Sequence, residues 1–464
     1  MRLGNVRCVH FIGIGGSGMS GIAEVLLNLG YQVSGSDAQP SEITSRLVEL
    51  GARVHADHAA DHVRGADVVV VSSAVPSANP EIVEAHRLRI PVIPRAEMLG
   101  ELMRMKHSVA VAGSHGKTSV TAMLALVLSR SGLDPTVVSG GRLGVLGSNA
   151  KLGRGDLLVA EADESDGSFL RLFPTIAVVT GIDREHMAHY GTLENLHEAF
   201  VQFLAKIPFF GAAVTCLDDE GLQAVLPRLD RRVVTYGLAT QADFRASDVE
   251  TRGFASRFML RHGSAPGLRV SLNTPGRHQV LNALATLAVT DELGLSLRVA
   301  AAALEEFPGA DRRMQRLGEP GGVLVVDDYG HHPTEIVATL VALREAVGER
   351  RIMVLFQPHR YSRTADLFEV FTRSFYEADA LILTEIYAAG EPPVGGVNAE
   401  KLAAAIAEHG HRDVCFAGSI DDAIETLLDR ARMGDVVLTL GAGSVGRAGA
   451  RIVERLAARS GQTA

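Results

Sequence analysis

Residues 112–120, AGSHGKTSV, set Gly-x-x-Gly-Lys-Thr between an apolar strand and an apolar helix, and no other segment of the chain restricts its fold so tightly. The strand must run into a turn whose glycines are free to take conformations closed to other residues, and the helix must then begin with its N–H groups pointing back at that turn. Such a turn cradles phosphate oxygens. Lys117 adds a positive charge, and Thr118 adds a hydroxyl able to hold a magnesium ion. The longer P-loop pattern would need glycine where Val111 stands, so this is a shortened loop. Gly113, Ser114, His115, Gly116, Lys117, Thr118 and Ser119 are the candidate nucleotide-binding residues.

A chain of 464 residues has room for about three domains of ordinary size. Its 45 basic and 54 acidic residues give a net charge of -9, which argues against a nucleic-acid surface, so phosphate recognition must be local. Cys8, Cys216 and Cys415 are too far apart for a zinc knuckle or a CxxC pair, and their odd number suggests no disulfide framework. A reducing cytoplasm fits. No charged leader precedes the first strand and no apolar run approaches the ~18 residues of a membrane span, so a soluble, unprocessed protein without a membrane partner is expected.

The periodicity predicts three successive α/β units. The first opens with strand Val9–Ile12, the turn GIGGSG, and a helix in which Met19, Ile22, Ala23, Leu26 and Leu29 keep a 3.6 period until Gly30. Strand Gln32–Ser36, ending in Asp37, and the run Val68–Val71 continue the alternation of a parallel sheet, and a short helix is expected near Arg95–Met105. The middle unit has strands at Val109–Ala112, Leu157–Ala160 and Ile176–Thr180, with the alternation of Leu268, Val270 and Leu272 suggesting an added antiparallel piece. Pro308, Gly309, Gly318, Pro320, Gly321 and Gly322 mark a loose junction. Beyond it, Val323–Val326, Ile352–Phe356, Ala380–Leu383 and Val436–Leu440 read as strands of a third sheet.

In open α/β sheets ligands bind at the carboxyl ends of strands, and here those ends are rich in polar residues. After Leu157–Ala160 comes EADESD, with Glu161, Asp163, Glu164 and Asp166 crowded together, a repulsion that a divalent cation would relieve. After Ile176–Thr180 come Asp183, Glu185, His186 and His189 as possible metal or phosphate partners. Gly13, Gly15 and Gly18 form GxGxxG with Asp37 nineteen residues on, a fingerprint that serves a nucleotide-sugar diphosphate as well as NAD. The third unit adds DDYGHHPTEI and FQPHRYSRT. His331, His332, His359, Arg360 and Arg363 converge there if the strands are neighbours, and guanidinium groups suit a substrate carboxylate.

The ordered set GIGGSGMSGIAE, GSHGKTS, EADESDGSFL, GRHQVLN, DDYGHHPTE and FQPHRYSRT resembles the Mur ligase family, and the likeness runs from about Val9 to Val445. The resemblance implies an α/β fold of three domains: a Rossmann-like domain for a UDP-sugar over residues 1–104, a central P-loop ATPase-type domain with added antiparallel strands over 105–316, and a Rossmann-like domain that binds the amino acid over 317–464. It implies ATP-dependent attachment of L-alanine to the lactyl carboxylate of UDP-N-acetylmuramate through an acyl phosphate, by a cytoplasmic monomer or homodimer that uses Mg2+. By resemblance, Gly113 to Ser119, His278, Asn282 and Arg313 contact ATP, with Lys117 on the β and γ phosphates. Thr118, Glu161 and His186 hold magnesium. Gly13, Gly15, Gly16, Ser17, Gly18, Ser36, Asp37 and Ser72 line the UDP-sugar site, and Tyr329, His331, Arg360 and Arg363 frame the amino acid. Lys117, His186, His331 and Arg360 are the implied catalytic set.

Several positions depart from the family pattern as it usually reads. Ser114 and Ser119 replace threonines, Gln279 and Gly181 stand where asparagine is common, and Glu185 stands where aspartate usually precedes the histidine. No lysine suggests itself as the carbamylated residue of the ligases for later amino acids, which agrees with the alanine-adding branch. The alternatives are a recycling ligase that attaches a whole tripeptide to the same UDP-sugar, an NAD-dependent dehydrogenase, and a UDP-sugar sensor.

Overall fold

The computed structural model describes residues 3–39, 41–72, 74–143, 148–151 and 153–461. Three sheets organise it, of five, ten and six strands. The first is wholly parallel and runs Arg53–His55, Gln32–Ser36, Cys8–Ile12, Val68–Val71, Val92–Pro94. The chain starts in the middle strand, winds outward on one side, then crosses to the other. The strand order therefore reverses between Cys8–Ile12 and Val68–Val71, and the carboxyl ends of these two strands open a crevice. The helix Ser17–Asn28 follows the glycine turn and stops where Gly30 takes φ +87°, a left-handed value that glycine adopts without strain.

In the second sheet the parallel strands run Val233–Gly237, Ala212–Cys216, Ile176–Val179, His107–Ala112, Leu157–Glu161, Thr136–Leu143, with Ser148–Lys151 antiparallel at one edge. Phe244–Arg252, Ala255–His262 and Leu268–Leu272 continue it beyond Val233–Gly237. Val109–Ala112 and Ile176–Val179 are buried at every residue, as expected of strands covered on both faces. Here too the order switches around the strand that carries the phosphate loop. Its neighbours end in Glu161 on one side and in Val179, just before Thr180, on the other.

The third sheet runs Gln315–Gly318, Leu324–Asp328, Val436–Leu440, Ile352–Phe356, Ala380–Leu383, Val414–Phe416, parallel apart from the first strand. Alternate residues supply two separate cores. Ile352, Val354 and Phe356 pack on one face with Leu340 and Phe371, and Met353 and Leu355 on the other with Ile424 and Ile452. The strand expected at Val323–Val326 extends two residues further, through Asp327 and Asp328. Both carboxylates are buried but answered: Asp327 by Arg312 Nε at 2.8 Å and Thr439 Oγ1 at 2.6 Å, Asp328 by the N–H groups of Met314 and Gly330 at 2.8 and 2.7 Å.

The chain packs as two compact units. One comprises Met1–Ser247, Met259–Val270 and Leu281–Phe307, and so holds the first sheet and most of the second; the other comprises Asp248–Phe258, Ser271–Val280 and Pro308–Ala464.

Candidate active site

The phosphate loop joins the strand His107–Ala112 to the helix Lys117–Arg130, and two left-handed glycines shape it. Gly113 has φ +118° and Gly116 φ +85°. Both are pressed by neighbours: a Cβ on Gly113 would lie 2.8 Å from Thr180 N, and one on Gly116 2.6 Å from Asn282 Oδ1. The adjoining strand end clasps the loop. Ser114 N donates to Gly181 O at 2.9 Å, Asp183 N donates to Ser114 Oγ at 2.8 Å, and His115 Nε2 meets Asp183 Oδ2 at 3.0 Å. Gly181 has a local reason, because a side chain there would begin 2.7 Å from Asp219 Oδ2, and Asp219 Oδ1 accepts from Ile182 N at 3.1 Å.

Lys117 Nζ donates to Gly113 O at 2.7 Å and to Glu164 Oε1 at 2.8 Å. Burial works against its charge, but the Glu164 carboxylate, with Glu161 and Asp163 beyond it, raises the ammonium above its ordinary value. Glu164 is 1% exposed, and burial, only partly offset by Lys117, pushes its carboxyl up to about 7. Its Oε2 is buried and, among the described residues, accepts no hydrogen bond. Glu164, Glu185 and His186 each bring a ligand atom within 4.8 Å of the others. Thr118 Oγ1 lies 3.1 Å from Glu161 Oε1, and Glu161 Oε2 accepts from Ser139 Oγ at 2.7 Å and Gly140 N at 3.2 Å. So Thr118 and Glu161 come together as expected and His186 sits with a second pair of acids. Glu164, at the centre of this arrangement, was no more than one member of an acidic run in the sequence. Its spacing of three from Glu161, just past a strand end, was the signal available. Ser119 is buried in the first turn of the helix.

At the first glycine turn, Gly13 N and Ile14 N both donate to Ser36 O, at 2.8 and 3.1 Å, and a Cβ on Gly13 would touch Ser72 Cβ at 3.6 Å. Gly16 is the N-cap of the helix that follows, and Gly18 lies in its first turn; the side chain of Ser17 lies outside the described residues. Two of the residues expected to line the UDP-sugar site are engaged within the protein. Asp37 accepts a backbone N–H at each oxygen, Oδ2 from Gly15 N at 2.8 Å and Oδ1 from Gln39 N at 3.0 Å, and so closes the turn. Ser36 is fully buried and its hydroxyl donates to Glu81 Oε2 at 2.6 Å, which leaves only its backbone to serve the turn. Glu81 is itself completely buried, with His58 Nδ1 at 3.1 Å, His62 Nδ1 at 2.9 Å and His10 Nε2 at 3.5 Å. Although burial pushes the other way, hydrogen bonds from His10, Ser36 and His58 hold its carboxyl down at about 2.

In the second unit the third sheet gathers its own cluster at the carboxyl ends of Leu324–Asp328 and Ile352–Phe356. Rings follow one another: Tyr329 to His331 at 5.4 Å between centroids, His331 to His359 at 5.6 Å, His359 stacked on Tyr387 at 5.5 Å. Burial, together with His331, Arg363 and Arg360, lowers His359 to about 4, so the ring is neutral at pH 7 and can accept from Arg363 Nη1 at 3.2 Å. Arg360 takes φ +72°, and its guanidinium points to Glu391 at 3.9 Å. Glu335 organises the other side: its Oε2 accepts from His331 N at 3.0 Å, its Oε1 from Arg313 Nη1 at 3.2 Å, and it boxes the N-terminus of helix Pro333–Val347 together with His332. Arg313 also lies 5.2 Å from the Tyr329 ring. Burial and Arg313 lower His278 to about 4. Gln279 is buried, whereas Asn282 belongs to the first unit and lies against Gly116.

Three family models match in order along the chain: the Mur ligase family catalytic domain over residues 8–107, the Mur ligase middle domain over 111–290, and the Mur ligase glutamate ligase domain over 312–443. The chain belongs to the Mur ligase family. Among curated relatives, this Mur ligase is 54% identical over 453 residues to the UDP-N-acetylmuramate–L-alanine ligase of Geotalea daltonii, covering 98% of this chain and 99% of that one. It is 56% identical over 441 residues to the enzyme of the same name from Desulfatibacillum aliphaticivorans, covering 95% and 97%. Among solved structures, the UDP-N-acetylmuramate–alanine ligase of Thermotoga maritima superposes with a TM-score of 0.79 at 30% identity, covering 98% of this chain and all of that one. A murein peptide ligase from Psychrobacter arcticus shares the fold, with a TM-score of 0.68 at 23% identity over 97% of this chain and 99% of that one. The Mur ligase thus has the three-domain architecture of its family, one sheet to each domain.

Proposed function

We propose that this Mur ligase uses ATP to join L-alanine to the lactyl carboxylate of UDP-N-acetylmuramate, the first amide bond of the peptidoglycan stem peptide. The observation that carries the reading is identity of 53–56% along nearly the whole chain to enzymes named for that reaction. In this reaction a carboxylate oxygen attacks the γ-phosphorus and ADP leaves. The amine of alanine, having lost a proton, then attacks the acyl carbon of the resulting acyl phosphate, the bond to the phosphate oxygen breaks, and inorganic phosphate departs. No covalent bond to the protein is needed. The protein's work is to neutralise phosphoryl charge, align two substrates and exclude water.

Lys117 suits the β and γ phosphates because its charge is held up by Glu164 while its chain is fixed on Gly113 O. Gly113 to Ser119 offer the loop around them, with Asn282 beside Gly116. His278, neutral at pH 7, and Arg313, fixed by Glu335, are the further nucleotide contacts. Magnesium fits the residues present, since among the described residues the buried Glu164 Oε2 has no hydrogen-bond partner and Glu185 and His186 each bring a ligand atom close to Glu164. Thr118 and Glu161 would hold one ion, and His186 with Glu164 a second. Bound there, magnesium supplies charge neutralisation for the transferring phosphoryl group. Tyr329, His331, Arg360 and Arg363 frame the amino acid, and the glycine turn at residues 13–18 with Ser72 takes the UDP-sugar. We assign these roles to domains spanning 1–104, 105–316 and 317–464, in a cytoplasmic enzyme, the compartment where ATP is at hand. No helix among the described residues is long and apolar enough to cross a membrane.

The deciding experiment measures phosphate release from ATP and magnesium with UDP-N-acetylmuramate, comparing L-alanine, the stem tripeptide and no acceptor. Release that needs both the UDP-sugar and L-alanine, with amide product, is the expected result. Release with tripeptide alone would reassign the chain to recycling, and no release would overturn the ligase reading.

A further inference from the structure

The strand Ile352–Phe356 leads into the loop that carries Arg360, and the backbone there is bent against its preference. Arg360 takes φ +72° and ψ 138°, a combination that residues with a side chain rarely adopt and that persists only where neighbours enforce it. Bonds hold it at both ends: Arg360 N donates to Tyr387 O at 2.8 Å, and Arg360 O accepts from Thr364 Oγ1 at 2.8 Å. Arg360 is also the N-cap of the short helix Tyr361–Asp366. It gives that helix no side-chain cap, and the first turn has no acidic residue.

Glu391, from a separate loop, supplies what that turn lacks. Ala389 at φ +50° and Gly390 at φ +86° bend the chain back after Tyr387, and Glu391 N closes the bend on Ala388 O at 3.0 Å. The Glu391 carboxylate then accepts from Ser362 N at 3.0 Å with Oε2 and from Ser362 Oγ at 2.8 Å with Oε1. Although burial pushes the other way, these bonds and the charge of Arg360 hold it below its ordinary value, so it is ionised at pH 7. With both oxygens engaged by Ser362, its approach to Arg360 Nη1 stays at 3.9 Å, too long for a hydrogen bond but close enough for the charges to attract. The half-exposed guanidinium is therefore drawn to one side while, among the described residues, it makes no hydrogen bond, and its donors stay available for a substrate carboxylate.

We infer that Glu391 is a positioning residue for the amino-acid substrate, which fixes the turn at Arg360 and aims its guanidinium without occupying it. The inference rests on the proposed role of Arg360 in framing the amino acid. It has Glu391 act on that substrate only through Arg360.

The test is a double-mutant cycle on the full-length protein, read as kcat and KM for each of the three substrates. Glu391→Gln keeps the size of the side chain and an oxygen for Ser362 but removes the charge, Glu391→Asp keeps the charge on a shorter stem, and Arg360→Met removes the guanidinium. Glu391→Gln is expected to raise the KM for L-alanine at least about fivefold, with the KM values for ATP and UDP-N-acetylmuramate within about twofold of wild type and Glu391→Asp in between. In the Arg360→Met background, Glu391→Gln should change kcat/KM for L-alanine by less than about twofold, because the group it acts through is gone. A KM for L-alanine in both Glu391 variants indistinguishable from wild type would overturn the inference and leave the amino-acid site standing. Equal rises in all three KM values would also overturn it, since they mark Glu391 as a support of the fold. So would a full-sized effect in both backgrounds, since Glu391 would then act without Arg360. If Arg360→Met itself leaves kcat/KM for L-alanine unchanged, the reading of Arg360 fails instead.

Discussion

Adding one methyl group at Gly113 tests whether the phosphate loop is as tightly specified as its geometry implies. The residue sits at φ +118°, where an L side chain costs about 1–2 kcal/mol in backbone strain alone. The new Cβ would lie 2.8 Å from Thr180 N and 2.9 Å from Gly181 O, and closer still to Thr180 Oγ1. Two of these neighbours are backbone atoms that cannot swing aside. The third, Thr180 Oγ1, donates to Ala112 O and His115 O, so moving it loosens the loop from below. Overpacking of this kind adds about 1–3 kcal/mol, and a shift of about 1 Å in groups that align a reacting phosphate costs on the order of a hundredfold in rate. Gly132→Ala is the matched control: φ +81°, but nothing within 4 Å of its Cβ, so it pays for the backbone and not for the contacts. Thermal unfolding and ATP-dependent phosphate release should be measured on both variants. Gly113→Ala should melt below Gly132→Ala and lose about a hundredfold in kcat/KM for ATP, while Gly132→Ala stays within about threefold of wild type. If Gly113→Ala keeps wild-type kcat/KM and melts no lower than the control, the packing argument for the loop is wrong.

Glu81 carries a pH prediction. Its carboxyl is lowered from 4.5 to about 2 in the folded protein, so it contributes up to about 3 kcal/mol of stability above pH 4.5, lost as pH falls toward 2. Acid unfolding followed by circular dichroism should therefore be steeper between pH 4.5 and 2.5 in wild type than in Glu81→Gln, and parallel curves would refute this. Lys117→Ala should lower ATP-dependent phosphate release by at least about a hundredfold, because one fixed charge facing the phosphates is lost, and leave UDP-sugar binding within about twofold. A substantial residual rate would deny Lys117 its role. Glu164→Gln should raise the magnesium concentration for half-maximal activity about tenfold or more, since a buried carboxylate that, among the described residues, has an oxygen without a hydrogen-bond partner would lose its charge. An unchanged magnesium requirement would place the metal elsewhere.

The periodic features were legible from the chain alone. Cys8–Ile12, Gln32–Ser36, Val68–Val71, Ile352–Phe356, Ala380–Leu383 and Val436–Leu440 fall within a residue of where apolar runs predict strands, and the helix Arg95–Arg104 lies where its pattern sets it. Strand burial is a local property that the next few residues record. The strands Thr136–Leu143 and Ser148–Lys151 were not anticipated, because polar and glycine residues interrupt them and their pairing comes from elsewhere, Thr136–Leu143 pairing with Leu157–Glu161 and Ser148–Lys151 with Thr136–Leu143. Asp327 and Asp328 read as loop because two adjacent acids rarely end a buried strand. They are strand because Arg312, Thr439 and two backbone N–H groups answer them.

What the sequence determined by itself is therefore whatever neighbouring residues decide together: the glycine turns, the strands and helices around them, the acidic and histidine-rich strand ends, and through their order the family. What only the tertiary structure decided is which charges meet. Lys117 and Glu164 are 47 positions apart, Ser36 and Glu81 are 45 apart, and Arg95 reaches Gly18 from a different helix. A charge buried in a protein is set by the partner that lies against it, and the distance along the chain to that partner leaves no mark on the residues between.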